Sequence, residues 1–208
     1  MIEIPENKRF LLIVLVLLLA GMISLVVGLQ FYENMRQFYT LEGVVAGVKK
    51  EYPEATSLAS TALGMRLSAA KDPEHPLMLL VDCREPEEYR VSHLEGAVNL
   101  RTPAEILQAC DALRGPAEAP SLGPEAPPRS PAQVEVYVYC SVGHRSAKLV
   151  QDLAKAGSQE GRYLRGGLFF WARESRPMVD SAGNATKKLH PYKAPWKALV
   201  DPENRTGE

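Results

Sequence analysis

The chain has 208 residues, 46% hydrophobic and 24% charged, with a net charge of -1. That size supports one domain with a sizeable core and not two large ones, and a near-neutral balance supplies no basic field for nucleic acid. Cys83, Cys110 and Cys140 are widely spaced and form neither a CxxC pair nor a Cys/His cluster at zinc spacing; this argues against a disulfide scaffold and directs attention to a single reactive thiol.

A short tail, residues 1–9, carries Lys8 and Arg9 directly ahead of an uncharged apolar run over 10–29. One helix of that length crosses a bilayer, so residues 10–30 are assigned as a transmembrane helix. A signal-peptide core is usually shorter and ends in an A-x-A-like site, which this run lacks. A buried soluble helix rarely goes this far without a polar residue. Lys8 and Arg9 on so short a tail favour that tail in the cytoplasm. The rest of the chain then lies outside it, in the periplasm if the source is a Gram-negative bacterium; Arg36, Lys49 and Lys50 weaken that bias. Ala20, Ser24 and Gly28 put small residues on one helix face, where two such helices can pack.

Residues 31–52 read as a juxtamembrane helix or spacer ended by Tyr52-Pro53. Thr56 or Ser57 is placed as the cap of a helix with Leu58, Ala62, Leu63 and Leu67 inward. The apolar run from Leu77 to Val81, closing on Asp82, reads as a buried parallel strand. Pro86 with Glu85, Glu87 and Glu88 starts a short helix. Residues 97–100 form a second short strand, and Thr102 caps a helix with Ile106, Leu107, Ala109, Cys110 and Leu113 on one face. Residues 115–132, dense in Pro, Ala, Gly and Ser, read as a flexible surface insertion. Residues 134–139 alternate and are rich in Val and Tyr, a strand pattern. After the loop that begins at Cys140, a helix turns Ala147, Leu149, Val150, Leu153 and Ala154 inward and ends at Gly157. Residues 162–164 make a last strand, and Gly166-Gly167 turns into a helix with Leu168, Phe169 and Trp171. Strands alternating with helices imply an α/β domain with a largely parallel sheet. The domain is placed at 53–180 and a C-terminal extension at 181–208. The Pro and aromatic residues of that extension suggest a segment docked on the domain, or a tail that binds a partner.

The chemistry is concentrated in Cys140-Ser141-Val142-Gly143-His144-Arg145-Ser146. Between a strand and a helix, such a loop lies at the carboxyl edge of an open sheet, where ligands bind. Backbone N–H groups at the helix start favour an anion there, Gly143 lets the loop curl around the sulfur, and Arg145 adds fixed charge. Each lowers a thiol pKa and makes the thiolate a nucleophile.

This loop resembles the active loop of the rhodanese family, Cys-x-x-Gly-x-Arg followed by a small residue. Three further segments occur in the family's order. Val81-Asp82-Cys83-Arg84-Glu85-Pro86 resembles its Asp-x-Arg segment, and Ser92-His93-Leu94-Glu95-Gly96-Ala97-Val98-Asn99 its His-(aliphatic)-Pro-Gly-Ala-x-Asn segment. Leu164-Arg165-Gly166-Gly167 with Trp171 resembles its closing segment. The resemblance implies a rhodanese-like parallel sheet flanked by helices and a sulfurtransferase that carries sulfur as a Cys140 persulfide. It implies a small sulfur-containing donor, a thiol or protein-cysteine acceptor, and neither a metal nor an organic cofactor. Ser141, Val142, Gly143, His144, Arg145 and Ser146 then bind the anion, while Asp82 and Arg84 support the loop's surroundings.

Glu95 stands where the family has Pro, which affects a turn. Neutral Ser141 and Val142 occupy positions where thiosulfate-selective members carry charge, which speaks against thiosulfate as donor; His144 is placed to tune the acceptor or the pH response. Related phosphatases of this fold have one more residue between Cys and Arg. The four residues here suit a sulfur atom better than a phosphoryl group, which disfavours a phosphatase or arsenate-reductase-like activity. A non-catalytic anchored binding or redox-sensing module is the competing class. Cys83 reads as structural, with a resolving thiol for Cys140 as its alternative, while Cys110, His93 and Trp171 read as packing residues. Asn184-Ala185-Thr186 and Asn204-Arg205-Thr206 match glycosylation triplets, which matter only in a eukaryotic secretory route.

Overall fold

A computed structural model describes residues 5–38, 40–70, 75–115, 134–158, 161–192 and 196–206. Helix α1, Glu6–Phe38, contains the apolar run. Its stretch Lys8–Tyr32 is long and apolar enough to cross a membrane and has no residue of its most apolar window buried. At 1.5 Å per residue these 25 residues extend about 37 Å, beyond the ~30 Å of bilayer hydrocarbon.

The spacer holds a break. Thr40 accepts a hydrogen bond from the Gly43 N–H at 3.0 Å and so starts a new helix, α2, Leu41–Glu51, which Tyr52 terminates. Leu41, Val44 and Val48 repeat at helical spacing, and their burial seats α2 on the domain.

The sheet has five strands in the order β1-β5-β4-β2-β3, all parallel. They are β1 Ser57–Leu58, β2 Leu77–Asp82, β3 Val98–Asn99, β4 Val134–Tyr139 and β5 Gly161–Leu164. Ser57 and Leu58 are therefore strand, not helix. The following helix α3, Ser60–Ala69, starts after Ala59 without a side-chain cap. Two residues carry no period, and β1 exists only because β5 pairs with it. Leu63 is buried as expected, and Leu67 packs at the core's edge.

Strand β4 is central, so its burial does not alternate: five of its six residues are buried, as in a parallel strand covered on both faces. Helices α4 (Pro86–Val91), α5 (Pro103–Arg114), α6 (His144–Lys155) and α7 (Gly167–Arg173) complete the domain. Thr102 and Glu105 cap α5 reciprocally. Ile106 and Cys110 turn inward from α5 while Leu113 is exposed, and Ala154 of α6 is exposed too. Both lie in the last turn of their helix. The core takes in Leu189 and Val200 from the C-terminal extension. The insertion proposed at 115–132 lies outside the described residues apart from Gly115.

Candidate functional site

β2 and β4 pair in register from Leu77↔Val134 to Asp82↔Tyr139. They end level, so the segments that leave them run side by side, and the Cys83 N–H donates to the Tyr139 carbonyl at 2.9 Å. Cys140 follows β4 directly, and α6 begins at His144 with Gly143 as its left-handed cap, φ +101°. His144 and Arg145 are thus the first turn of α6 and not loop. The closing Gly-Gly explains the loop's shape. The first N–H groups of α7 bind its carbonyls, Leu168 to Cys140 at 2.8 Å and Phe169 to Ser141 at 2.9 Å. A Cβ on Gly167 would collide with the Cys140 and Ser141 backbone, so only glycine fits that approach.

With its carbonyls held outward, the loop turns donors toward the sulfur. The Gly143 N–H donates to Cys140 Sγ at 3.1 Å, and Ser146 Oγ lies 3.6 Å from it. Ser146 Oγ is also 3.1 Å from the Gly143 carbonyl, so its single proton serves one acceptor at a time. Cys140 is 1% exposed. Burial alone would push its thiol up; the hydrogen bond from the Cys83 thiol, the Arg145 charge and the bonds from Ser146 prevail and hold it well below the usual thiol range. Cys83 moves the opposite way, held well above that range by its hydrogen bond to Cys140 and by burial. In this pair Cys140 is the anion and Cys83 the donor.

Arg145 does not stand free beside the sulfur. Its Nη1 and Nη2 donate to Glu88 Oε2 and Oε1 at 2.7 and 2.9 Å, and Nη2 also reaches Ser141 Oγ at 3.0 Å. Ser141 Oγ donates to Glu88 Oε1 at 2.8 Å. Glu88 is fully buried. Burial would raise its carboxyl, but the Arg145 fork outweighs that and holds it below the ordinary range. Glu88 is a site residue that the sequence reading left in a helix start. As third residue of α4 its carboxylate also accepts the Glu85 N–H at 3.0 Å, so the acidic helix start was legible and its inward orientation was not.

Asp82 and Arg84 are both fully buried and form a bidentate pair, Nε to Oδ1 at 3.0 Å and Nη2 to Oδ2 at 2.7 Å. Arg84 also donates to the Ser92 carbonyl, and Asn99 Nδ2 caps the Asp82 and Arg84 carbonyls at 2.8 and 2.9 Å. This network ties β2, β3 and the segment after α4 together beneath the loop. His93 stacks on Tyr89 with ring centroids 3.9 Å apart, and Trp171 is buried with Nε1 donating to the Pro177 carbonyl at 2.9 Å. Both are packing residues.

Two pockets adjoin the thiols. Cys140, Ser141, Val142, His144, Arg145 and Tyr192 line one of about 190 Å³, with Trp196. The other, about 550 Å³, has Cys83, Arg101, Glu105, Arg145 and Lys148 in its wall. Cys140 opens only on the smaller, which makes that one the reaction site. His144 is paired with Glu51 from α2, 3.0 Å from Nε2 to Oε2, and meets the Tyr52 ring edge-on. Burial and Glu51 push the Tyr52 hydroxyl up to about 12. Glu51, Tyr52, Tyr192 and Trp196 all come from outside the four motif segments; the aromatic residues of the extension signal docking on the domain, but no local pattern assigns any of the four to the site. Among the described residues no cluster of His, Cys, Asp and Glu is placed to hold a metal ion.

The Rhodanese-like domain family matches residues 66–174. A "Sulfurtransferase" of Allochromatium vinosum is 38% identical over 88 residues, 41% of this chain and 79% of the relative. A Mycobacterium tuberculosis protein described as "Probable adenylyltransferase/sulfurtransferase MoeZ" is 26% identical over 100 residues, 48% of this chain. The chain spans only 21% of that relative's length. The solved thiosulfate sulfurtransferase of Pseudomonas aeruginosa aligns with a TM-score of 0.47 at 18% identity, over 77% of this chain and 26% of that one.

Proposed function

The chain belongs to the rhodanese-like domain family, and from that premise we propose that it is a sulfurtransferase carrying sulfane sulfur as a Cys140 persulfide. The Cys140 thiolate attacks the outer sulfur of a donor. A bond forms from Sγ to that sulfur, the donor's bond to it breaks, and the electron pair departs with the leaving group. An acceptor thiolate then attacks the same outer sulfur, and Cys140 leaves as thiolate. A depressed pKa serves both steps, since it supplies the nucleophile and makes a good leaving group. The observation that carries this reading is the Cys140 sulfur itself, almost wholly buried, hydrogen-bonded by the Gly143 amide and lining a pocket of about 190 Å³. Gly143 and Ser146 hold the anion; Ser141, Val142, His144 and Arg145 shape the pocket around it; Asp82 and Arg84 fix the sheet edge beneath.

In the same reading helix α1, long and apolar enough to cross a membrane, anchors the chain, and Lys8 and Arg9 on the short tail favour the domain outside the cytoplasm. Transfer then takes place at the membrane surface.

One observation favours a second reading, an anchored redox sensor: the Cys83 N–H donates to the Tyr139 carbonyl at 2.9 Å, which sets Cys83 beside the strand end that Cys140 follows. A peroxide would take two electrons from the pair and leave a Cys83–Cys140 disulfide and water. Intact mass on the full chain in detergent separates the readings. A sulfane donor should add one sulfur, removed by cyanide and absent in Cys140→Ser. Loss of two hydrogens with peroxide, absent in Cys83→Ala, without sulfur gain from any donor, would replace the transferase by the sensor.

A further inference from the structure

The C-terminal extension, beyond the residues that the family matches, folds back onto the reactive loop. Its anchors are buried: Leu189, whose N–H donates to the Asn204 carbonyl at 2.7 Å and whose carbonyl accepts the Thr206 N–H at 3.1 Å, and Val200. Between them Tyr192 lies over Arg145, its ring centroid 4.5 Å from the guanidinium carbon. Tyr192 adopts φ +63°, a left-handed backbone that L residues other than Gly, Asn and Asp rarely hold, and its N–H donates to His190 Nδ1 at 3.1 Å. Trp196 supplies a second aromatic wall to the pocket of about 190 Å³ on which Cys140 opens.

Size and charge of that pocket restrict what reaches the sulfur. Its volume lies below the ~300 Å³ at which drug-sized sites begin, so it admits a small molecule. Its fixed cation, Arg145, gives both terminal nitrogens to Glu88 and has its face covered by Tyr192. A dianion such as thiosulfate would meet a charge already neutralised, whereas an apolar group would meet Val142, Tyr192 and Trp196.

We propose that Tyr192 and Trp196 make the C-terminal extension a wall of the sulfur pocket that selects a small organic hydropersulfide, R–S–SH with apolar R, over thiosulfate. The proposal rests on Cys140 being the sulfur acceptor. In the loading step a bond forms from Cys140 Sγ to the outer sulfur as the donor's S–S bond breaks. The electron pair leaves on R–S⁻, and the proton stays on the transferred sulfur.

The test is loading of the full chain in detergent micelles by benzyl hydropersulfide and by thiosulfate, followed by intact mass, with rates corrected for reaction with a free-cysteine peptide. Tyr192→Asn removes the ring with a residue that tolerates the left-handed backbone, and Trp196→Leu is the second, independent variant. Each should lower the ratio of hydropersulfide to thiosulfate rates about tenfold, the low end for loss of one apolar contact in a pocket, while thiosulfate loading holds or rises. Trp196→Phe should retain most of the ratio. An unchanged ratio in both variants, or equal slowing with both donors at an unchanged melting temperature, would overturn the proposal. Wild-type protein that loads from neither donor would instead overturn the Cys140 reading, and the proposal with it.

Discussion

At the residue scale the site works through two opposed pairs. Glu88 neutralises Arg145, and the Cys83 and Cys140 thiols shift in opposite directions, Cys140 downward. Arg145 is therefore less a free cation than one half of a buried fork, and the Gly143 N–H and Ser146 Oγ act on the sulfur beside it. A test follows from pH. Because the folded Cys140 pKa is depressed, its thiolate stabilises the fold above the unfolded thiol value, and that contribution is lost as pH falls through the folded pKa. Thiolate absorbance in the wild type should vanish at a pH below the ordinary thiol range. Cys83→Ala removes the neighbouring thiol that helps lower the Cys140 pKa and should move the midpoint up toward the ordinary thiol value of about 8.5. An unmoved midpoint would leave the Gly143 amide, Ser146 and Arg145 as sufficient causes.

At the element scale, the meeting of β4, the loop and α7 is the unit that matters. α7 binds the loop's carbonyls and so leaves the amides to the sulfur. Gly167, at φ +59°, is the position where that approach is closest. Gly167→Ala should push α7 off the loop. Strain at such a backbone costs on the order of 1–3 kcal/mol before the clash is counted. Persulfide loading should fall at least about tenfold in protein that still melts cooperatively, each ~1.4 kcal/mol of lost stabilisation being a factor of ten. Loading at the wild-type rate in that variant would mean that the α7 contact does not set the loop. Gly183, with open space around its Cβ position, is the control for backbone strain without collision.

Over the whole molecule, segments that flank the family's domain converge on its site. α2 brings Glu51 to His144, and the extension brings Tyr192 to Arg145. The packing of α2 decides where a soluble fragment begins. Leu41, Val44 and Val48 are buried, and burying each aliphatic side chain is worth roughly 1.5–3 kcal/mol before ordering costs. A fragment beginning at Thr40 should melt several degrees above one beginning at Glu51, about 2–4 °C per kcal/mol of net difference in a fragment of this size. Equal melting temperatures would mean that α2 adds no net stability.

Read alone, the sequence determined the apolar N-terminal helix, the parallel α/β order, the limits of β2, β4 and α5 within a residue or two, and the reactive turn that begins at Cys140, though not its end at Gly143. Those signals are local: an uncharged run, a Thr102 cap, a strand feeding a Gly-containing loop. Only the tertiary structure decided the two-residue strand β1, the turn of Glu88 toward Arg145, the seat of Cys83 beside the strand end that Cys140 follows, and the closure of Tyr192 and Trp196 over the pocket. Each depends on residues far apart in the chain meeting at one sheet edge. A short strand acquires its hydrogen bonds, and a buried carboxylate its counter-charge, only from a partner that the local pattern does not contain.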